Sequence, residues 1–176
     1  MPQWLHDGAD LVLTCMLHDQ DMTQLHPAAP TPESVVSYIT QTWPETAVAE
    51  IPGAWFFSLD PVRHFPNFAT IVTNDDHDEA SNLSREGVWR LNIGLGKGSF
   101  ERLVGDQPKG GREPDYTALD TLLPHPVYAA QRFVAILNPS AQSFETLLKP
   151  LLAVAYERVE RQHRLQKKDP GLSVLG

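Results

Sequence analysis

Three groups of residues in this chain are of a type that could do chemistry. The first is the acidic run Asp75, Asp76, His77, Asp78 and Glu79. Carboxylates beside an imidazole can hold a divalent cation. The spacing here matches neither a D-x-D-x-D-G calcium loop nor an H-E-x-x-H zinc helix. A solvated acidic turn is the expectation, with Asn74 or Asp75 capping a short helical turn through Ala80. The second group is Asn82, Arg85, Arg90 and Asn92. An arginine presents a planar fork for carboxylate or phosphate, and an asparagine presents both a donor and an acceptor. These four are the candidate ligand-binding residues. The structural alternative is that Arg90 pairs with an acid across the sheet, for example Asp60. The third group is Asp60, His64, His125 and Tyr128. Histidine is the commonest general base, but His125 stands between Pro124 and Pro126, where a hydrogen-bonded turn histidine is expected. Asp60, Asp75, His77, His125 and Tyr128 are therefore secondary candidates. No catalytic residue, metal ligand set or cofactor is assigned.

Other signatures fail on spacing. There is no G-x-S-x-G elbow, so a hydrolase serine has no support. The stretch IGLGKGS, residues 93–99, has neither the G-x-x-x-x-G-K-[ST] nor the G-x-G-x-x-G spacing of a phosphate loop. Cys15 is the lone cysteine, which rules out a disulfide within one chain and makes a cytoplasmic location the default.

The elements that must position these residues follow from pattern. The chain has 176 residues, 41% hydrophobic and 20% charged, which fits one globular domain with extensions. Thr31, Pro32 and Glu33 open a helix. Val35, Val36, Ile39 and Trp43 form its apolar stripe, and Pro44 stops it. Residues 47–51 and 54–60 read as a hairpin around Pro52-Gly53. Residues 68–73 are a third strand. Residues 88–95, VWRLNIGL, are a fourth with the clearest alternation. Trp89, Leu91, Ile93 and Leu95 face the core, which puts Arg90 and Asn92 side by side on the opposite face. Residues 97–104 and 116–123 read as short helices, the second capped by Asp115. Residues 132–138 are a fifth strand. A long helix follows, capped by Ser140, with an apolar stripe from Phe144 to Val159 that runs across Pro150, where a kink or offset is expected. Strands in runs rather than singly alternating with helices predict an α+β fold: an antiparallel sheet of about five strands with helices on one face.

The domain expectation is an N-terminal extension over residues 1–30, a single α+β domain over 31–160 and a C-terminal tail over 161–176. Met16 and Met22 offer alternative starts within a dispensable arm, although Trp4 and Leu5 could pack on a partner subunit. The net charge of −8 divides into −4 for residues 1–30, −7 for residues 31–160 and +3 for residues 161–176. An acidic body disfavours nucleic-acid binding, which depends on neutralising phosphates. No apolar run approaches the roughly 20 residues that span a bilayer, so no membrane partner is expected. A homo-oligomer stays open.

Four stretches together resemble the bacterial domain-of-unknown-function 6194 family: FFSLD, FPNFATIVTNDDHDEASNLSREGVWRLNIGL, DYTALDTLLPHPVYAAQRFVAILNPS and LLKPLLAVAYERV. Its markers are SNL…RLNIG and HPVY…LNP, and the resemblance covers about residues 31–160. It implies no activity. The element order also resembles the YjbR-type fold, an α+β sandwich some of whose members are labelled DNA-binding, a label the acidic balance argues against here.

The functional expectation is a soluble, cytoplasmic binding or accessory domain. It takes a small polar or anionic ligand, or a protein partner, on the face bearing Arg90 and Asn92. The alternatives are a hydrolase-like or metal-assisted enzyme and, third, a DNA-binding module. Ligand binding requires a concave site in which Arg90 and Asn92 remain accessible. Metal chemistry requires three of Asp75, His77, Asp78 and His125 to converge.

Overall fold

A computed structural model of the chain describes residues 28–105 and 113–168. The expectations for the N-terminal arm up to residue 27, including Trp4, Leu5 and Cys15, lie outside the described residues, as do those for residues 169–176.

The first helix, α1 (Pro32–Thr42), starts where its cap residues require. The Ser34 N–H donates to Thr31 Oγ1 at 3.2 Å and the Thr31 N–H donates to Ser34 Oγ at 2.9 Å. That reciprocal pair satisfies two amides a helix start otherwise leaves unpaired. Val35 and Ile39 are fully buried on its inner side.

Among the described residues, six strands form one sheet in the order β1-β2-β3-β4-β6-β5, with every neighbouring pair antiparallel. They are β1 (Ala47–Ile51), β2 (Ala54–Ser58), β3 (Ala69–Val72), β4 (Arg90–Gly94), β5 (Leu123–Pro124) and β6 (Phe133–Leu137). Gly53 closes the β1–β2 hairpin at φ 79°, and a Cβ there would also collide with the Asn74 carboxamide. The predicted helix over residues 116–123 is replaced by a turn and the short edge strand β5. Asp115 Oδ1 accepts from the Thr117 N–H and hydroxyl, closing a local turn. Asp120 then takes φ 49°, outside helical space. The helix over residues 97–104 is present as α2 (Lys97–Val104).

One face of the sheet carries Phe57, Ala69, Ile71, Leu91, Ile93, Val134 and Ile136 into the main core, where α1 and the last helix cover it. That helix runs as α3 (Ala141–Ser143), a π turn (Phe144–Leu148) and α4 (Lys149–Lys168). The offset expected at Pro150 takes this form. A proline at 150 has no N–H for the carbonyl of residue 146, and a wider turn just before it absorbs the missing bond. The helix continues to Lys168, well into the segment read as a tail.

The second face is not the open surface that simple alternation suggests. All five residues of β4 are buried. Ala54, Val72, Leu83 and Leu137 form a smaller apolar cluster there, with Phe56 and Val88 packed against it. The polar segment between β3 and β4 folds back over part of this face.

Candidate functional site

The register of the sheet lays out the floor of the site. On the second face one cross-strand row runs Phe56, Thr70, Asn92, Ala135, Leu123, and the adjacent row runs Ala54, Val72, Arg90, Leu137. Asn92 Nδ2 donates to Thr70 Oγ1 at 2.9 Å. Arg90 is 1% exposed and holds Asp78 in a two-pronged ion pair, Nη1 to Oδ1 at 3.0 Å and Nη2 to Oδ2 at 2.6 Å. Its Nη1 also donates to Ser81 Oγ at 2.7 Å. The partner of Arg90 is thus Asp78, not Asp60. Asp60 lies elsewhere, its carboxylate accepting from the Val62 and Arg63 N–H groups.

Asp78 therefore does not belong to a fully solvated acidic turn. Its hydrogen bond to Arg90 holds its carboxyl below the usual carboxylate range, against the opposing effect of burial. Its neighbours in the acidic run have other tasks. Asp75 accepts from the Leu83 N–H at 2.7 Å and the Ser84 N–H at 2.9 Å, pinning the far end of the loop. No helical turn forms between Asn74 and Ala80. Replacing Asp75 with alanine is expected to cost about 1–2 kcal/mol, as for the loss of a helix cap or a charged acceptor. Urea denaturation checks the magnitude. Faster amide exchange at Leu83 and Ser84 checks the cause.

His125 reaches the same face from the turn just after β5. Its Nδ1 accepts the N–H groups of Val127 at 3.0 Å and Tyr128 at 3.1 Å, so the ring closes the HPVY turn. An imidazole nitrogen that accepts two amides carries no proton, which leaves the proton on Nε2. Burial, and next the positive charge of Arg90, push the His125 pKa down to about 4, with Asp78 opposing. At neutral pH it is an uncharged Nε2–H donor.

These residues border a cavity of about 410 Å³. Arg90, Asn92, Thr70, Val72 and His125 line it from the sheet side, with Phe56 and Phe133 beside them. The Phe133 ring lies over Gly94, where a Cβ would meet it at 2.8 Å. His77, Asp78, Tyr128, Phe65, Pro66, Asn67, Gln131 and Arg158 complete the walls. Phe56 and His77 meet edge to face at 6.0 Å, and the His125 and Tyr128 rings lie 4.8 Å apart. Volume and lining fit small-molecule sites, which are typically about 300–1,000 Å³ and mostly apolar with a few placed polar groups. Four buried polar atoms on lining residues have no partner among the described residues: Arg90 Nε, Asn92 Oδ1, Asn67 Oδ1 and Arg158 Nε.

Of the four residues first nominated for ligand binding, the structure brings Arg90 and Asn92 together and sets the other two apart. Arg85 spends its guanidinium on the carbonyls of Asn82, Ser81 and Thr117. It fastens the loop to the segment before β5. Asn82 is exposed at φ 48°, with its Oδ1 accepting from Ser84 Oγ. Of the secondary set, His77, His125 and Tyr128 line the cavity, while Asp60 and Asp75 are not among its lining residues. His64, at φ 50°, lies in the loop before Phe65 and is not among them either. Among the described residues, no group of three or more His, Cys, Asp and Glu is placed to hold a metal ion.

Sequence reasoning missed Phe56, Thr70, Phe133, Arg158 and the specific role of Asp78. Alternation along residues 54–60 sets Phe56 on the face opposite Phe57. The same rule puts Thr70 on the outward face of β3, and the β3–β4 register sets it beside Asn92. Arg158 and Asp78 gave no local signal, because one sits on a helix and the other in an irregular loop.

Among the described residues, no helix is long and apolar enough to cross a membrane. No curated protein and no solved structure matches the chain. The family model that does match spans residues 30–168 and is described as a family of unknown function. The residues of its resemblance now have structural roles: Ser81 of SNL bonds Arg90, and His125 of HPVY closes its turn. Asn138 of LNP joins the start of β4, accepting the Trp89 N–H and donating to the Gly87 carbonyl. Over that span of residues, the chain belongs to the DUF6194 family of unknown function.

Proposed function

We propose that this chain is a binding domain whose cavity takes a small polar or anionic ligand, its polar end directed at Asn92, Arg90 and His125. The observation that carries the reading is the set of buried, unpartnered polar atoms on lining residues. An unpaired buried donor or acceptor costs about 1–3 kcal/mol. Such a cost is tolerated where an incoming group completes the hydrogen bonds. Arg90 is closed off by Asp78, so its part is to hold the floor rigid and to offer Nε. Asn92 Oδ1 and His125 Nε2 supply an acceptor and a donor beside it.

The exposed rings of Phe65 and Tyr128 at the cavity, 70% and 46% accessible, would also suit a protein partner that inserts one apolar side chain. The acidic balance and the lone cysteine support a cytoplasmic binding role rather than nucleic-acid binding. The order of helices and strands supports the YjbR-type comparison, and the binding proposal does not depend on it.

A fragment titration followed by amide NMR tests the reading. Compounds that bind are expected to shift Asn92, His125 and Tyr128 together at millimolar concentration or below. Thr70→Phe, which places a ring in the cavity, is expected to abolish those shifts while the remaining spectrum stays folded. A broad fragment set that leaves the three residues unmoved would end the proposal, as would binding insensitive to Thr70→Phe.

A further inference from the structure

We infer that the ligand of this cavity is an anion with a flat apolar body, and that Arg158 is the residue that meets its charge. The inference rests on the binding reading above and narrows it to one ligand class. The charges on the lining decide the sign. Arg90 and Asp78 cancel in their two-pronged pair, and His125 is uncharged with its Nδ1 held by two amides. Arg158 remains. It lines the cavity from α4, and its Nε is buried with no partner. It has no ion pair among the described residues.

Its surroundings make that state unfavourable. Burial, and then the nearby Arg132, push the Arg158 guanidinium pKa down, and no carboxylate offsets them. A half-buried cation with only another cation nearby gains from any anion that arrives, because desolvation weakens the screening that water would provide. The body of the ligand follows from Phe56, Phe133, Phe65 and Tyr128, whose rings offer flat apolar contact.

The bland alternative is that Arg158 only packs its aliphatic stem and leaves its head to solvent. Arg158→Met keeps a stem and removes the charge, so it separates the two. Calorimetric titrations would use 1-naphthoate, 1-naphthamide and 1-naphthylmethylammonium, of nearly equal size and different charge. They would be run on the full chain and on the Arg158→Met and Arg158→Lys variants. In the parent, naphthoate is expected to bind about tenfold or more tighter than the amide, as for a charge-assisted over a neutral hydrogen bond, with the ammonium weakest. Arg158→Met is expected to reduce that preference to about threefold or less, with naphthoate losing more affinity than the amide, and Arg158→Lys to keep part of it. Should amide and carboxylate bind the parent equally, or the preference survive in Arg158→Met, this inference fails and the binding reading stands. Should the fragment titration above find no ligand for the cavity, both fail together.

Discussion

Asp78→Ala is expected to cost about 3–5 kcal/mol of folding stability, the largest effect of any single loop substitution in this protein. The reason is asymmetry. In the parent, both carboxylate oxygens of Asp78 are engaged by an arginine whose side chain is 2% exposed. Removing the acid leaves a guanidinium in the second sheet face with Ser81 Oγ as its remaining partner. Burial of an unpaired charge is far more costly than loss of the pair. The double variant Asp78→Leu with Arg90→Met should therefore recover most of the loss, because apolar side chains of similar size can replace a buried pair with little net change. Urea denaturation of the parent, Asp78→Leu, Arg90→Met and the double variant completes the cycle, with Asp78→Ala measured beside them. A small loss for Asp78→Ala, or no recovery in the double variant, would show that the pair is solvated and only decorates the loop.

The second large effect concerns pH. Stability is expected to fall by on the order of 3 kcal/mol between pH 6.5 and pH 4, through His125. The folded pKa of His125 is depressed from 6.5 to about 4, by burial first and by the charge of Arg90 next. Between those values the unfolded chain binds a proton that the folded chain refuses. Lowering the pH then favours the unfolded state, and the loss is complete below about pH 4. Asp78 acts in a more acidic window. Its folded pKa is lowered, so its contribution is intact above the ordinary value of 3.8 and is lost as pH falls through the lowered one. The two groups can be separated with His125→Asn. An asparagine oxygen can accept the Val127 and Tyr128 N–H groups as Nδ1 does, and it does not titrate. The variant should keep the turn and flatten the profile between pH 6.5 and pH 4. Urea midpoints at pH 7, 5.5 and 4 give the comparison, and a profile unchanged by the substitution would remove His125 as the cause.

Both expectations arise where the sequence was partly legible. Alternation in VWRLNIGL put Arg90 and Asn92 on the face opposite Trp89, Leu91 and Ile93, and the register agrees. The HPVY segment pointed to a hydrogen-bonded turn histidine, and His125 Nδ1 takes that part. In each case one residue and its nearest neighbours held the information. The short helix read over residues 116–123 failed for the same reason in reverse. Its local pattern allowed a helix, but Leu123 and Pro124 found a strand partner in Ala135 and Val134, remote in sequence, and that pairing took precedence.

Periodicity and capping chemistry were enough to establish an antiparallel α+β architecture, the start of α1 at Thr31 and the inward face of β4. They hold because side-chain direction in a helix or strand is set by backbone geometry over a few residues. What covers the outward face of β4 is a different kind of fact. Asp78 reaches Arg90 across 12 residues of irregular loop. Arg158 arrives from a helix that follows the sheet in sequence, and His125 from the turn just after a two-residue edge strand. Those meetings depend on loop paths and long-range packing, for which no local pattern codes. Packing of distant segments therefore turned an expected exposed polar face into a buried floor beneath a cavity. It also changed Arg90 from a free ligand anchor into one half of an ion pair, and moved the unpaired charge to Arg158.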